Sequence, residues 1–138
     1  MPQFRIADAA RLGVSDDTVR RWGETGKLRI RKADSGRQIV DGVDMVPLMV
    51  DAAAESPLQA AFPHARASAR NRLTGIVTAV TKDTVMAQVD LQAGPFRIVS
   101  LMSREAADEL GLEPGVLAVA AVKSTNVVVE VPRHGGER

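Results

Sequence analysis

The spacing of apolar positions changes once along the chain, from about 3.6 residues to 2, and this change divides the sequence. In "FRIADAARLGV", Ile6, Ala9, Ala10 and Val14 place small apolar groups at helical spacing, and Gly13 offers the positive φ of a tight turn. Ser15 then reads as an N-cap, with Asp16 and Asp17 in a first turn whose dipole favours carboxylates. Val19 and Trp22 fall on an inward face, Thr18, Arg20 and Arg21 on an outward one, and Gly26 ends the helix. The next stretch, "KLRIRKADSGRQIV", alternates Leu28 and Ile30 with Arg29 and Arg31 around the turn signal "ADSG", which predicts a short basic hairpin. A third helix is predicted from near Asp44, with Pro47 tolerated in its first turn and Met45, Leu48, Met49 and Ala52 as its apolar stripe.

Periodicity is lost across "DAAAESPLQAAFPHARA", which holds Pro57 and Pro63. From Leu73 the period is two. "LTGIVTAV", "VMAQVDLQ", "FRIVSLM", "VLAVAAV" and "VVVEV" read as strands, and Ser103 caps a short helix, "REAADEL", closed by Gly111. The expected fold class is α+β in two domains. A mainly helical domain with a short β-wing spans 1–55 and a linker 56–66. A small five-stranded barrel of the oligonucleotide/oligosaccharide-binding type spans 67–133, and a flexible tail 134–138. With Phe96 as its one phenylalanine, such a barrel is marginal alone. The nearly continuous apolar runs "VLAVAAV" and "VVVEV" predict that both faces of these strands are buried, in association with another copy.

Composition narrows the function more than the fold. The chain has 138 residues and no cysteine, which removes disulfide and thiolate chemistry and fits a reducing cytoplasm. No apolar run reaches membrane-spanning length, and the N-terminus lacks the order of a signal peptide. The two histidines, His64 and His134, have no sequence partner for catalysis or metal binding, so no enzyme is expected. The net charge of +1 hides an asymmetry: residues 1–40 carry nine Lys/Arg against five Asp/Glu, and residues 41–64 carry none against four. A polyanion would meet the front of the chain.

"IADAARLGVSDDTVRRWGETGKL" and the hairpin after it resemble the DNA-binding domain of MerR-type regulators and phage excisionases. The resemblance implies a winged helix-turn-helix on double-stranded DNA, with Ser15, Thr18, Arg20, Arg21, Lys27, Arg29, Arg31, Lys32 and Arg37 as contacts. Solvated surface arginines on a structural helix bundle are the blander reading. MerR regulators pair through a long coiled coil, and no heptad run follows here.

"SARNRLTGIV", "SREAADELGLEPG" and "VLAVAAVKSTNVVV" together resemble the molybdate-binding Mop domain, a TOBE-like, molbindin-type module, over residues 67–131. The resemblance implies a molybdate or tungstate ligand held by Ser68, Ala69, Arg70, Asn71, Lys123, Ser124 and Thr125, where segments of neighbouring subunits meet. A tetrahedral dianion presents acceptors alone, so its site needs donors alone, and these residues supply hydroxyls, an ammonium and backbone N–H groups. Taken singly, they favour a blander account in which they cap a turn and solvate an edge. The expected function is an oxyanion-responsive, cytoplasmic transcription regulator that works as a homo-oligomer, a dimer or a larger ring such as a hexamer. Storage or buffering of the oxyanion, and an accessory subunit binding a protein or cofactor, remain alternatives.

Overall fold

A computed structural model describes residues 2–57 and 67–132 and divides the chain into two compact units, Met1–Ala60 and Ala61–Arg138. Leu58, Phe62 and both histidines, and most of the expected linker and tail, lie outside the described residues.

The first unit opens with a strand that the sequence pattern had not shown, β1 (Gln3–Arg5), too short to display a period. Helix α1 (Ile6–Ala9) gives way to one 3₁₀ turn over Ala10–Leu12, so the helical spacing read from Ile6 to Val14 is only partly α-helical. Gly13 turns the chain at φ +92°. Helix α2 (Asp16–Glu24) starts at Ser15, whose Oγ accepts from the Thr18 N–H at 3.1 Å. It ends before Gly26, which sits at φ +79°. Strands β2 (Arg31–Lys32) and β3 (Gln38–Asp41) form the hairpin, and the sheet order is β1-β3-β2, antiparallel throughout. The hairpin is shorter than its alternation predicts because Leu28 leaves the strand and is buried under Trp22 and Val19.

Helix α3 (Gly42–Ala54) begins two residues before its expected start. Ile6, Ala9, Val19, Trp22, Leu28, Val40 and Met45 form the core, with Leu48 and Met49 packed at its edge. Each Ile, Val, Leu or Met side chain among them contributes about 1.5–3 kcal/mol when fully buried. Ala52, assigned to the inward stripe from sequence, is exposed. The helix therefore rests on the core through a narrower face than its apolar content implies.

The second unit is one antiparallel sheet of four strands in the order β6-β5-β4-β7. They are β4 (Asn71–Lys82), β5 (Met86–Ala93), β6 (Phe96–Ser103) and β7 (Leu117–Val122). The β4–β5 turn is tied by Asp83, whose carboxylate accepts from the N–H groups of Val85 at 2.8 Å and Met86 at 2.6 Å. These two bonds to the charged form draw its pKa below the usual carboxylate value. A register shift between Val77 and Ala79 bends β4. Ser103 caps α4 (Arg104–Glu109) by accepting from Ala106 N–H at 3.1 Å, and Gly111 closes it at φ +66°. Val77, Val89 and Leu91 are the core, ringed by Ile98, Met102, Leu112, Val116 and Ala118.

The expected fifth strand is absent among the described residues. "VVVEV" (127–131) has no strand assignment, and Val128, Val129 and Val131 are 85 %, 83 % and 88 % exposed. A strand exists only as part of a ladder, and for this stretch one chain supplies no partner among the described residues. Nor is β7 covered on both faces, since Leu117 is largely exposed. Among the described residues of one chain, this barrel-type unit therefore carries four paired strands where five were expected.

Candidate functional site

Strand pairing decides what can meet at the end of the second unit. β4 and β7 run antiparallel with Asn71 opposite Val122, so the segment before β4 and the segment after β7 start side by side in one chain. The Asn71 amide donates from Nδ2 to the Val122 carbonyl at 3.1 Å across that register. One of its two N–H donors is therefore engaged in joining the strands, and Asn71 acts first as a positioning group. Arg70 donates to the carbonyl of Ala67 at 3.3 Å, which curls the entry segment back on itself. Ser68 and Arg70 are exposed, while Ala69 and Asn71 are half-buried.

On the other side, Lys123 precedes a 3₁₀ turn over Ser124–Asn126, closed by the Asn126 N–H donating to the Lys123 carbonyl at 2.9 Å. Lys123, Ser124 and Thr125 are all exposed. No carboxylate of the described residues lies within ion-pair distance of Lys123 or Arg70. The sequence around the site, 67–72 and 122–127, contains no Asp or Glu at all. The register thus gathers two cations, two hydroxyls on Ser124 and Thr125, the Ser68 hydroxyl and an amide at one end of the sheet, with no acid to compete. Among the described residues, no three of His, Asp and Glu group closely enough to hold a bare cation.

The first unit presents a different surface. Arg20 and Arg21 stand exposed on α2, and Lys27, Arg29, Lys32 and Arg37 on the loop and hairpin that follow. None of the six has an ion-pair partner among the described residues. Three other sequence candidates are already occupied. Ser15 is the helix cap, and its hydroxyl also bonds Thr18 Oγ1 at 2.9 Å, which engages both side chains. Arg31 is ion-paired through its guanidinium to Asp41 at 2.8 Å, and this hydrogen bond holds the largely buried Asp41 carboxyl below its ordinary value. The pairing also explains why Asp41, at the N-cap of α3, makes no side-chain cap bond. No sequence signal separates Arg31 from Arg29, since strand register alone decides which one faces the acid.

The class defined by the second unit is therefore a small antiparallel β-domain with a cationic, donor-rich end free of carboxylates. The family model for the TOBE domain matches residues 67–129. Molybdenum-pterin-binding protein 2 of Clostridium pasteurianum is 43 % identical over 63 residues, covering 45 % of this chain and 93 % of that protein. Molybdenum-pterin-binding protein MopA of Rhodobacter capsulatus is 43 % identical over 68 residues, 49 % of this chain, which spans only 26 % of MopA. A solved structure of a molybdate-binding protein from Sporomusa ovata aligns at 30 % identity with a TM-score of 0.47, over 49 % of this chain and 100 % of that one. Through residues 67–129 the chain belongs to the TOBE domain family. The residues that the family model matches lie in the second unit. No helix of the described residues is long and apolar enough to cross a membrane.

Proposed function

We propose that this protein binds molybdate or tungstate at the donor-rich end of its TOBE domain and holds the oxyanion between copies of the chain. One observation carries the reading: the Asn71–Val122 register sets the two donor segments side by side with no carboxylate near them. Hydrogen bonds to a charged group contribute about 1.5–3 kcal/mol each. An incompletely compensated buried ion costs several kcal/mol, so a dianion needs more donors than one short loop holds. The names of the Clostridium and Rhodobacter relatives support a molybdenum ligand. Ser68, Arg70, Lys123, Ser124 and Thr125 are the direct donors, with the backbone of Ala69, Arg70 and Asn71 beside them.

Assembly follows from what one chain leaves uncovered. The sheet has an apolar trough of about 460 Å³ lined by Val77, Val89, Leu91, Ile98, Met102 and Val116. The unpaired stretch 127–131 has the apolar content to fill such a trough on a second copy. In this reading the protein is a non-catalytic oxyanion-binding and storage oligomer of the cytoplasm. Calorimetry with molybdate, tungstate and sulfate tests the ligand: tight heats for the first two support it, and none for any of the three refutes it. Native mass spectrometry with and without molybdate gives the stoichiometry.

A second reading is favoured by the six uncommitted cations on α2 and the hairpin. Here the first unit is a winged helix-turn-helix, α2 enters the major groove of duplex DNA, and oxyanion binding biases the arrangement of the pair. Coupling of about 1–3 kcal/mol is enough for a useful response. Binding to duplex DNA that weakens steeply with salt supports regulation, and the absence of a salt slope returns the protein to storage alone.

A further inference from the structure

Helix α3 has three faces, of which the core of the first unit uses one. At about 100° per residue, Met45, Leu48 and Met49 point toward the core. Asp44, Asp51 and Glu55 gather on a second side. The third face carries Val43, Val46 and Val50, which are 57 %, 58 % and 63 % exposed, continued by exposed Ala53. Its centre is more than about 100° from each of the three acids. The spacing 43, 46, 50, 53 is the three-four-three step of a coiled-coil seam.

We infer that this face is a contact between two copies of the chain, in which α3 packs on α3 about a two-fold axis. Its chemistry selects that occupant. The residues that flank the seam, Pro47 and Ala54, are small and uncharged, so two identical faces meet without like charges opposed. An acidic or basic partner would find no charge on the seam to hold it. Size sets the conditions. The strip is about 16 Å long and 10 Å wide, roughly 160 Å², well short of the roughly 800 Å² per partner that a free-standing interface buries. Alone it is too weak to pair free protomers. Between chains already joined at the TOBE domain, tethering raises the effective concentration to the millimolar range, where so small a patch is populated. The inference therefore rests on the oligomer proposed above.

The absence of native cysteine gives a clean test. Val50→Cys in the full chain, oxidised with diamide at micromolar protein, is expected to form a covalent dimer about tenfold faster than Asp51→Cys, which sits on the acidic side of the same helix. Val46→Cys should behave like Val50→Cys. Native mass spectrometry on the same samples separates two kinds of failure. An intact assembly in which Val50→Cys and Asp51→Cys crosslink at equal rates would overturn the α3 pairing alone. Monomers throughout would overturn the pairing together with the proposed assembly.

Discussion

Gly75→Ala tests whether the second unit is as tightly built as its register implies. Gly75 is buried in β4 opposite Ala118. A Cβ placed on it would stand 2.7 Å from the Gln92 carbonyl oxygen, 3.0 Å from the Gln92 carbonyl carbon and 3.3 Å from Ala93 Cα. All three are backbone atoms of β5, which is held on both sides by β4 and β6. Relief needs a backbone shift of about 0.7 Å in a strand that cannot move one residue alone, and overpacking of this kind costs about 1–3 kcal/mol. Restricting the unfolded chain returns about 0.4–1 kcal/mol, leaving a net loss of about 1–2 kcal/mol. Trp22 is the only tryptophan, there is no tyrosine, and Trp22 is buried in the first unit. In urea, tryptophan fluorescence therefore follows the first unit, while far-ultraviolet circular dichroism follows both. With an m-value of about 1 kcal/mol/M, the sheet transition should fall by about 1–2 M while the fluorescence midpoint stays fixed. The control is Gly23→Ala, whose Cβ meets the movable Cδ1 end of the Ile30 side chain and gains helix propensity of about 1 kcal/mol, so it should be nearly neutral. An unchanged sheet transition in Gly75→Ala would refute the steric argument.

Lys123→Ala should weaken molybdate binding by one to two orders of magnitude, from the loss of a charge-assisted bond of about 1.5–3 kcal/mol, while leaving the urea transitions in place; unchanged calorimetric affinity removes Lys123 from the site. Arg20→Ala with Arg21→Ala should abolish salt-dependent binding to duplex DNA without altering molybdate affinity, and retained DNA affinity would take α2 out of the interface. Asp90 accepts from Arg97 at 2.6 Å and from Gln88 at 3.1 Å, which draws its pKa below the ordinary carboxylate value. A depressed carboxyl stabilises the fold above its unfolded pKa and loses that effect as pH falls through its folded pKa. Asp90→Asn should therefore flatten the acid limb of the sheet transition below about pH 4, and an unaltered limb would contradict the pairing. Ending the chain at Asn126 should leave monomers in native mass spectrometry if 127–131 completes a neighbour's sheet; an intact oligomer would show that it does not.

Local chemistry made some elements readable before any coordinates. Ser15, Ser103, Gly13, Gly26 and Gly111 each act within a few residues of their own position, through a cap bond or a positive φ, and each does in the structure what its residue type requires. Failures came where the deciding partner is distant in sequence. Nothing near Arg31 announces that Asp41 will face it, or that Leu28 will leave the hairpin for the core. The strand Gln3–Arg5 is defined only by its ladder to Ile39, Val40 and Asp41. In the same way, the donor segments around Asn71 and Lys123 could be named from motif resemblance, but their adjacency follows from strand pairing across 51 residues.

The largest discrepancy has a common physical origin in both units. A hydrophobic period shows which side of an element is apolar, but not whether the surface that covers it belongs to the same chain. In "VVVEV" the apolar run was read as a strand, yet Val127–Val131 finds no ladder among the described residues of one chain. In α3 the stripe read from sequence, Met45, Leu48, Met49 and Ala52, leaves out the exposed valines at 43, 46 and 50. If both sets were merely scattered surface residues, they would be expected singly among charges. Instead, the first is a nearly unbroken run of five residues and the second holds one helix face free of charge. Each is a surface that water disfavours, and each lacks a cover among the described residues of its own unit. In the proposed oligomer a second copy would supply both covers, and joining protomers at 127–131 would provide the tether that the small α3 strip needs.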